Sequence, residues 1–136
     1  MTGSTDTGFL LAAIDKKDPL HKSCLAALES EIAPYLPEIV LPELAYMILR
    51  GLGYKVLIDF TRSIIRGELP LVKTEIEDLE RAAEILEKYA DSRIDFVDCV
   101  IVAIAERLNI RRILTVDRWH FNLFRSRHCD HFEIIP

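Results

Sequence analysis

The chain alternates between stripes of apolar residues at helical spacing and short, unbroken apolar runs closed by turn residues. Leu20, Cys24, Leu28 and Ile32 recur every four positions, which predicts an amphipathic helix over residues 20–33. Ile76, Leu79, Ala83, Leu86 and Ala90 mark a second stripe. It is opened by Thr74-x-x-Glu77, a sequence able to form a capping box. Two further helical segments follow Pro42 and Tyr54, with Gly51 and Gly53 as the break between them. From Phe96 to Leu108 the pattern loses its polar face, so this helix should be deeply buried, with Asp95 as N-cap and Asn109 at its end. Residues 9–14 read as a short first helix.

The short runs read as strands. Residues 113–116 are the clearest, 132–135 form a last strand, 38–41 a short buried one, and 69–72 a strand or extended connection. A first strand would have to come from Met1-Thr2-Gly3-Ser4-Thr5, which is polar and contains glycine. Strands alternating with helices predict an α/β fold of three layers, α/β/α, around a central, mainly parallel sheet of four or five strands. Residues 1–136 are expected to form a single domain.

Four acids stand where an apolar run stops or a helix begins: Asp6, Glu43, Asp98 and Asp117. The carboxyl ends of parallel strands share one rim, where ligands bind. Each acid alone has a structural explanation, as a turn or cap residue or as a first-turn charge facing a helix dipole. Gathered at one rim they repel one another unless protons or a cation offset them. An all-oxygen cluster suits Mg²⁺ or Mn²⁺ better than zinc. Mg²⁺ keeps waters and completes its shell with phosphate oxygens, so the predicted chemistry is phosphodiester hydrolysis by a metal-activated water. No Ser/His/Asp or Cys/His spacing suggests a rival nucleophile, and no glycine-rich phosphate loop is present. A phosphatase would want a second acid in Asp6-Thr7-Gly8, and a response-regulator receiver would want paired acids and a lysine on the last strand.

Composition narrows the setting. Half of the 136 residues are apolar, enough for a core, and Cys24, Cys99 and Cys129 form no Cys-x-x-Cys pair. A reducing cytoplasm is expected, with no signal peptide and no membrane span. Net charge is −5, yet residues 107–136 carry six basic side chains against three acidic ones.

Asp6-Thr7-Gly8-Phe9-Leu10-Leu11-Ala12-Ala13, Asp18-Pro19-x-His21 and Pro42-Glu43-Leu44 resemble the opening of the PIN-domain ribonucleases. Tyr89-x-Asp91, Asp95-Phe96-Val97-Asp98, Ala103-x-Ala105-Glu106-Arg107-Leu108 and Thr115-Val116-Asp117-Arg118-x-His120-Phe121 extend the likeness, most closely to the VapC-type toxins of toxin–antitoxin systems. The resemblance implies a magnesium-dependent endoribonuclease on a small α/β/α fold. Asp6, Glu43, Asp98 and Asp117 match the family's acidic positions, with Asp6, Asp98 and Asp117 as metal ligands. Thr115 matches a small hydroxyl residue that supports the acids, and Asp95 an acid present in part of the family. Homodimers and a small VapB-like antitoxin are the implied partners, beside the RNA substrate. The competing reading is a PIN-like domain that binds RNA or a protein without cutting. Two positions depart from the pattern: the polar first strand, and Gly8 where the family often carries Asn or Ser.

Arg111, Arg112, Arg118, Arg125 and Arg127 surround the strand that carries Asp117, and Arg118 is the candidate phosphate contact. His120 and Phe121 read as base-stacking residues or as loop anchors. His128-Cys129-x-His131 has no second ligand pair to make a zinc site. Residues 44–65 carry apolar side chains on more than one helical side, including Tyr46, Met47, Tyr54, Ile58 and Phe60, so part of that surface should meet another chain.

Overall fold

The computed structural model describes residues 2–136; Met1, the start of the predicted first strand, lies outside them. Five short parallel strands carry the topology: Ser4–Thr5 (β1), Leu36–Pro37 (β2), Leu71–Val72 (β3), Arg112–Leu114 (β4) and Glu133–Ile135 (β5). One sheet runs β1-β4-β5 and a second pairs β2 with β3. A parallel bridge between Ser4 and Tyr35 joins the two, with Tyr35 N donating to Gly3 O at 2.9 Å and Thr5 N to Tyr35 O at 3.0 Å. β1 is therefore central despite its polar sequence. Its backbone is paired on both sides, Ser4 against Ile113 and Thr5 against Leu114 on the other flank. Burial and pairing override the weak intrinsic preference of Ser and Thr. Gly3 is required by close approach: a Cβ there would meet Glu31 Oε1 at 2.9 Å and the Arg112 carbonyl oxygen at 3.1 Å.

Among the described residues, seven α-helices flank the strands: Thr7–Ile14 (α1), His21–Glu29 (α2), Leu41–Leu52 (α3), Tyr54–Ile65 (α4), Ile76–Lys88 (α5), Phe96–Leu108 (α6) and Arg118–Leu123 (α7). α6 is the spine of the core, with Cys99 through Ala105 all buried. Each Val or Ile buried there contributes about 1.5–3 kcal/mol. Asp95 caps α6 and Asn109 leaves it in the left-handed conformation, as predicted. Gly53, at φ +89, breaks α3 from α4.

Several local predictions need correction. Residues 38–41 are not a strand: Glu38–Val40 form a single 3-10 turn after β2 and lead straight into α3. The first long helix ends at Glu29 rather than residue 33, as Ser30 and Glu31 turn back toward Pro34. The capping box of α5 sits one residue later than expected, with the Glu75 N–H donating to Asp78 Oδ2 at 2.9 Å. The buried stripe of α5 instead lies one residue earlier, at Asp78, Ala82 and Ile85, leaving Ile76 and Leu79 exposed. An ion pair decides this register: Asp78 turns inward to take Arg107 Nε at 2.9 Å. α7 escaped sequence reading because six residues are too few for a periodic stripe.

The α3–α4 pair leaves Tyr46, Tyr54, Ile58 and Ile65 exposed while Phe60 turns into the core. No helix among the described residues is long and apolar enough to cross a membrane.

Candidate functional site

Four helices begin at one cleft, and each brings an acid with it. Asp6 is the N-cap of α1, Asp95 of α6 and Asp117 of α7. Asp98 stands in the first turn of α6 and Glu43 in the first turn of α3. All five side chains line a cleft of about 190 Å³, together with Thr7, Gly8, Val97 and Val116. Capping and clustering thus coexist. The main-chain N–H groups that need acceptors at helix starts also stabilise the carboxylates that need positive potential.

Asp6 is the most constrained. Its Oδ1 accepts from Phe9 N at 2.9 Å and its Oδ2 accepts from the Thr115 hydroxyl. Thr115 is fully buried, and its Oγ1 also accepts from Asp117 N at 2.9 Å. One hydroxyl therefore ties the acid after β1 to the acid after β4. Asp117 Oδ1 accepts from His120 N at 3.2 Å, and His120 Nδ1 donates to Asp117 Oδ2.

Electrostatics mark the cleft as unsatisfied. Burial pushes the Asp6 carboxyl up from 3.8 to about 6, with Asp117 and Glu43 adding to the rise and the Thr115 and Phe9 bonds opposing it. Asp98 is pushed up to about 7, first by burial and then by Asp6, Asp95 and Asp117, with His120 pulling the other way. No Lys or Arg lines this cleft. Asp98, Asp117 and His120 each offer a ligand atom, all within 4.8 Å of one another. The donor set of carboxylate oxygens, with one imidazole beside it, fits a divalent cation.

Every predicted acid reaches this cleft: Asp6, Glu43, Asp98, Asp117 and the secondary Asp95. Thr115 sits directly behind it. Glu43 arrives from a helix start rather than a strand end. Arg118 is not among the residues lining this cleft; it lines another, with its guanidinium on the Pro136 main-chain oxygen. His120 is the residue whose place sequence reading missed; its signal was the three-residue step from Asp117, which only the presence of α7 turns into contact. His128 anchors a loop, between the Ser126 hydroxyl and the Ile110 carbonyl, and joins no metal-ligand group among the described residues.

Residues 5–122 match the PIN domain family. The chain is 32% identical to Ribonuclease VapC26 of Mycobacterium tuberculosis (strain ATCC 25618 / H37Rv) over 136 residues, covering 96% of this chain and 98% of that protein. Among solved structures, M. tuberculosis VapC20, described as a sarcin-ricin loop cleaving toxin, superposes with a TM-score of 0.75 at 18% identity, covering 82% of this chain and 87% of that one. DNA-bound VapBC from Salmonella typhimurium gives 0.69 at 16% identity, covering 98% and 96%. The chain belongs to the PIN-domain family, in its VapC-type toxin branch.

Proposed function

We propose that the protein is a metal-dependent endoribonuclease that hydrolyses RNA phosphodiester bonds, and that it is the toxin of a toxin–antitoxin pair. The observation that carries this reading is a cleft where five carboxylates meet and no cationic side chain lines the wall. Asp6, Asp98 and Asp117 would hold Mg²⁺ or Mn²⁺, with Glu43 completing the catalytic acids. When bound, the ion supplies an activated water and offsets charge building on the phosphate. The chain supplies the rest. Thr115 holds Asp6 and Asp117 in register through one hydroxyl. The α1, α3, α6 and α7 starts keep the acids ionisable at close quarters. Asp95 caps α6 and so orients Asp98 one turn away. Arg118, exposed and next in sequence to Asp117, would turn from the Pro136 oxygen to meet a substrate phosphate.

The relatives support both substrate and partner: one is a ribonuclease by name, another is described as cleaving the sarcin-ricin loop, and a third was solved as a toxin with its antitoxin on DNA. A small VapB-like antitoxin and a second copy of the chain are the partners we assign, and the exposed apolar residues of α3 and α4 suit such contacts.

Incubating the full chain with total RNA tests the activity. Cleavage is expected with Mg²⁺ or Mn²⁺ and is expected to stop on chelation. Cutting that ignores the chelator would sink the metal mechanism. No cutting under any condition, with RNA still bound, would favour the non-cleaving domain.

A further inference from the structure

The basic C-terminal segment is not a diffuse positive surface; three of its six arginines are already paired with carboxylates. Arg107 pairs with Asp78, Arg112 with Glu31 and Glu133, and Arg127 with Glu84. Arg125 folds back onto the carbonyl oxygens of Asn122, Leu123 and Phe124. Among the described residues, three guanidinium groups of this segment have no side-chain carboxylate: Arg125, Arg111 and Arg118, which donates to the Pro136 main-chain oxygen. Arg111 and Arg118 are the two that meet. They come from different elements, one from just before β4 and the other from the first position of α7. Both nevertheless line one cleft of about 450 Å³. Asn122, one turn after Arg118 on α7, and His131, before β5, share its wall; the one acid there, Glu133, is occupied by Arg112. Arg111, Asn122 and His131 are exposed, so their donors face water.

The two clefts meet in sequence at the α7 start: Asp117, which caps the helix, lines the acidic one, and Arg118, the next residue, lines this one. RNA approaching the acids meets a chain of net charge −5 and a wall of carboxylates. Coulomb repulsion must be offset close by, because screening removes help from distant charges. Arginine pairs, an amide and an imidazole are the donors that grip phosphate oxygens in fixed geometry. We infer that the cleft formed by Arg111, Arg118, Asn122 and His131 is a phosphate subsite that holds the RNA backbone beside the scissile bond. The inference rests on the ribonuclease reading above and adds where the rest of the strand lies.

Salt dependence reads such a contact directly. The probe is a labelled single-stranded RNA about a dozen nucleotides long, a length sufficient to span two clefts. Its binding to full-length Asp98→Asn protein in Mg²⁺ is followed by anisotropy over a series of salt concentrations. Adding Arg111→Ala should weaken binding several-fold at low salt and reduce the log–log salt slope by ~0.7, one phosphate contact. Arg111→Glu should weaken it further, and Arg111→Lys should keep the slope while losing part of the affinity. Thermal melts should match throughout, because the Arg111 side chain is exposed. If the Asp98→Asn protein binds RNA and Arg111→Ala and Arg111→Glu leave both affinity and slope unchanged, the subsite is refuted and the ribonuclease reading stands. If neither the parent nor Asp98→Asn engages RNA, the ribonuclease reading fails and the subsite goes with it. Should Arg111→Glu abolish capture of an acidic protein partner while RNA binding is untouched, the cleft belongs to that partner.

Discussion

Two clefts on this molecule are rich in acids, and they differ in one respect. Between α5 and α6, Asp78, Glu84 and Glu106 face Arg81, Arg107 and Arg127, with Glu77 and Glu80 exposed beside them. The three inner acids are each answered: Arg107 reaches Asp78 at 2.9 Å, Arg81 reaches Glu106 at 2.7 Å, and Arg127 reaches Glu84 at 2.6 Å. At the helix starts, Asp6, Glu43, Asp95, Asp98 and Asp117 meet with no arginine or lysine on the wall. The first cleft is a clamp of paired charges that fixes α5 against α6. The second is a charge left open. Counting carboxylates does not separate them; the missing counter-charge does.

The sharpest way to break that comparison is to remove one acid from each cleft and assay RNA cleavage. Asp98→Asn should lower the rate by at least about 100-fold, since the transition-state stabilisation a cation supplies is worth several kcal/mol. Asp78→Asn should leave the rate per folded molecule near that of the parent. Equal losses in the two variants would mean that the acids at the helix starts are structural too.

Stability should divide the clefts the other way. Asp78 is only 1% exposed and is held twice, by Arg107 and by the Glu75 N–H. Removing it strands a partly buried guanidinium and opens the α5 cap, so Asp78→Ala should cost about 3 kcal/mol in urea unfolding. A loss under about 1 kcal/mol would show that water replaces the pair and that the clamp is dispensable.

How much of this was legible depended on which residue types carried the information. α6 and β4 are written in apolar residues, and their positions follow from periodicity and run length. The acids were legible because each interrupts an apolar context, and their convergence followed from the rim geometry of parallel strands. β1 was nearly invisible, since Gly3, Ser4 and Thr5 are specified by their neighbours: Gly3 by the Arg112–Glu31 pair above it, Ser4 and Thr5 by backbone partners on both sides. The register of α5 was misread because a buried aspartate took a core position that hydrophobic spacing gives to leucine. His120 could not be assigned until α7 existed to bring it over Asp117. Long-range polar contacts such as these have no local signature.

Protonation offers a smaller but signed effect. Without metal, the folded protein holds protons on Asp6 up to about 6 and on Asp98 up to about 7, whereas the unfolded chain releases them near 3.8. The folded state then binds more protons across that window, so this contribution is fully present below 3.8 and is lost as pH rises through the folded values. Melting followed in chelator should show stability falling by about 1–3 kcal/mol between those limits. Asp98→Asn should flatten the fall, and added Mg²⁺ should stabilise increasingly as pH rises, because fewer protons compete for the ligands. A chelated protein that gains stability over the same range would mean that the acidic cleft is as well compensated as the α5–α6 clamp.

The finest test concerns the space inside the acidic cleft. A Cβ added to Gly8 would meet Val116 Cγ2 at 3.2 Å, a contact with a side chain that is itself partly exposed and free to turn. Gly8 lies within α1 at an ordinary helical position, where alanine gains up to about 1 kcal/mol over glycine. The crowding offsets that gain, so Gly8→Ala alone should change stability by less than about 0.5 kcal/mol. In a Val116→Ala background the same substitution should become stabilising, because the obstructing methyl is gone and only the helix preference remains. Cleavage is the second readout: Gly8→Ala should lower it several-fold with the fold intact if the opening between α1 and β4 admits substrate. Unchanged cleavage together with the stability coupling would assign the gap to packing, and the route of RNA to the acids would then run over Arg118 rather than past Gly8.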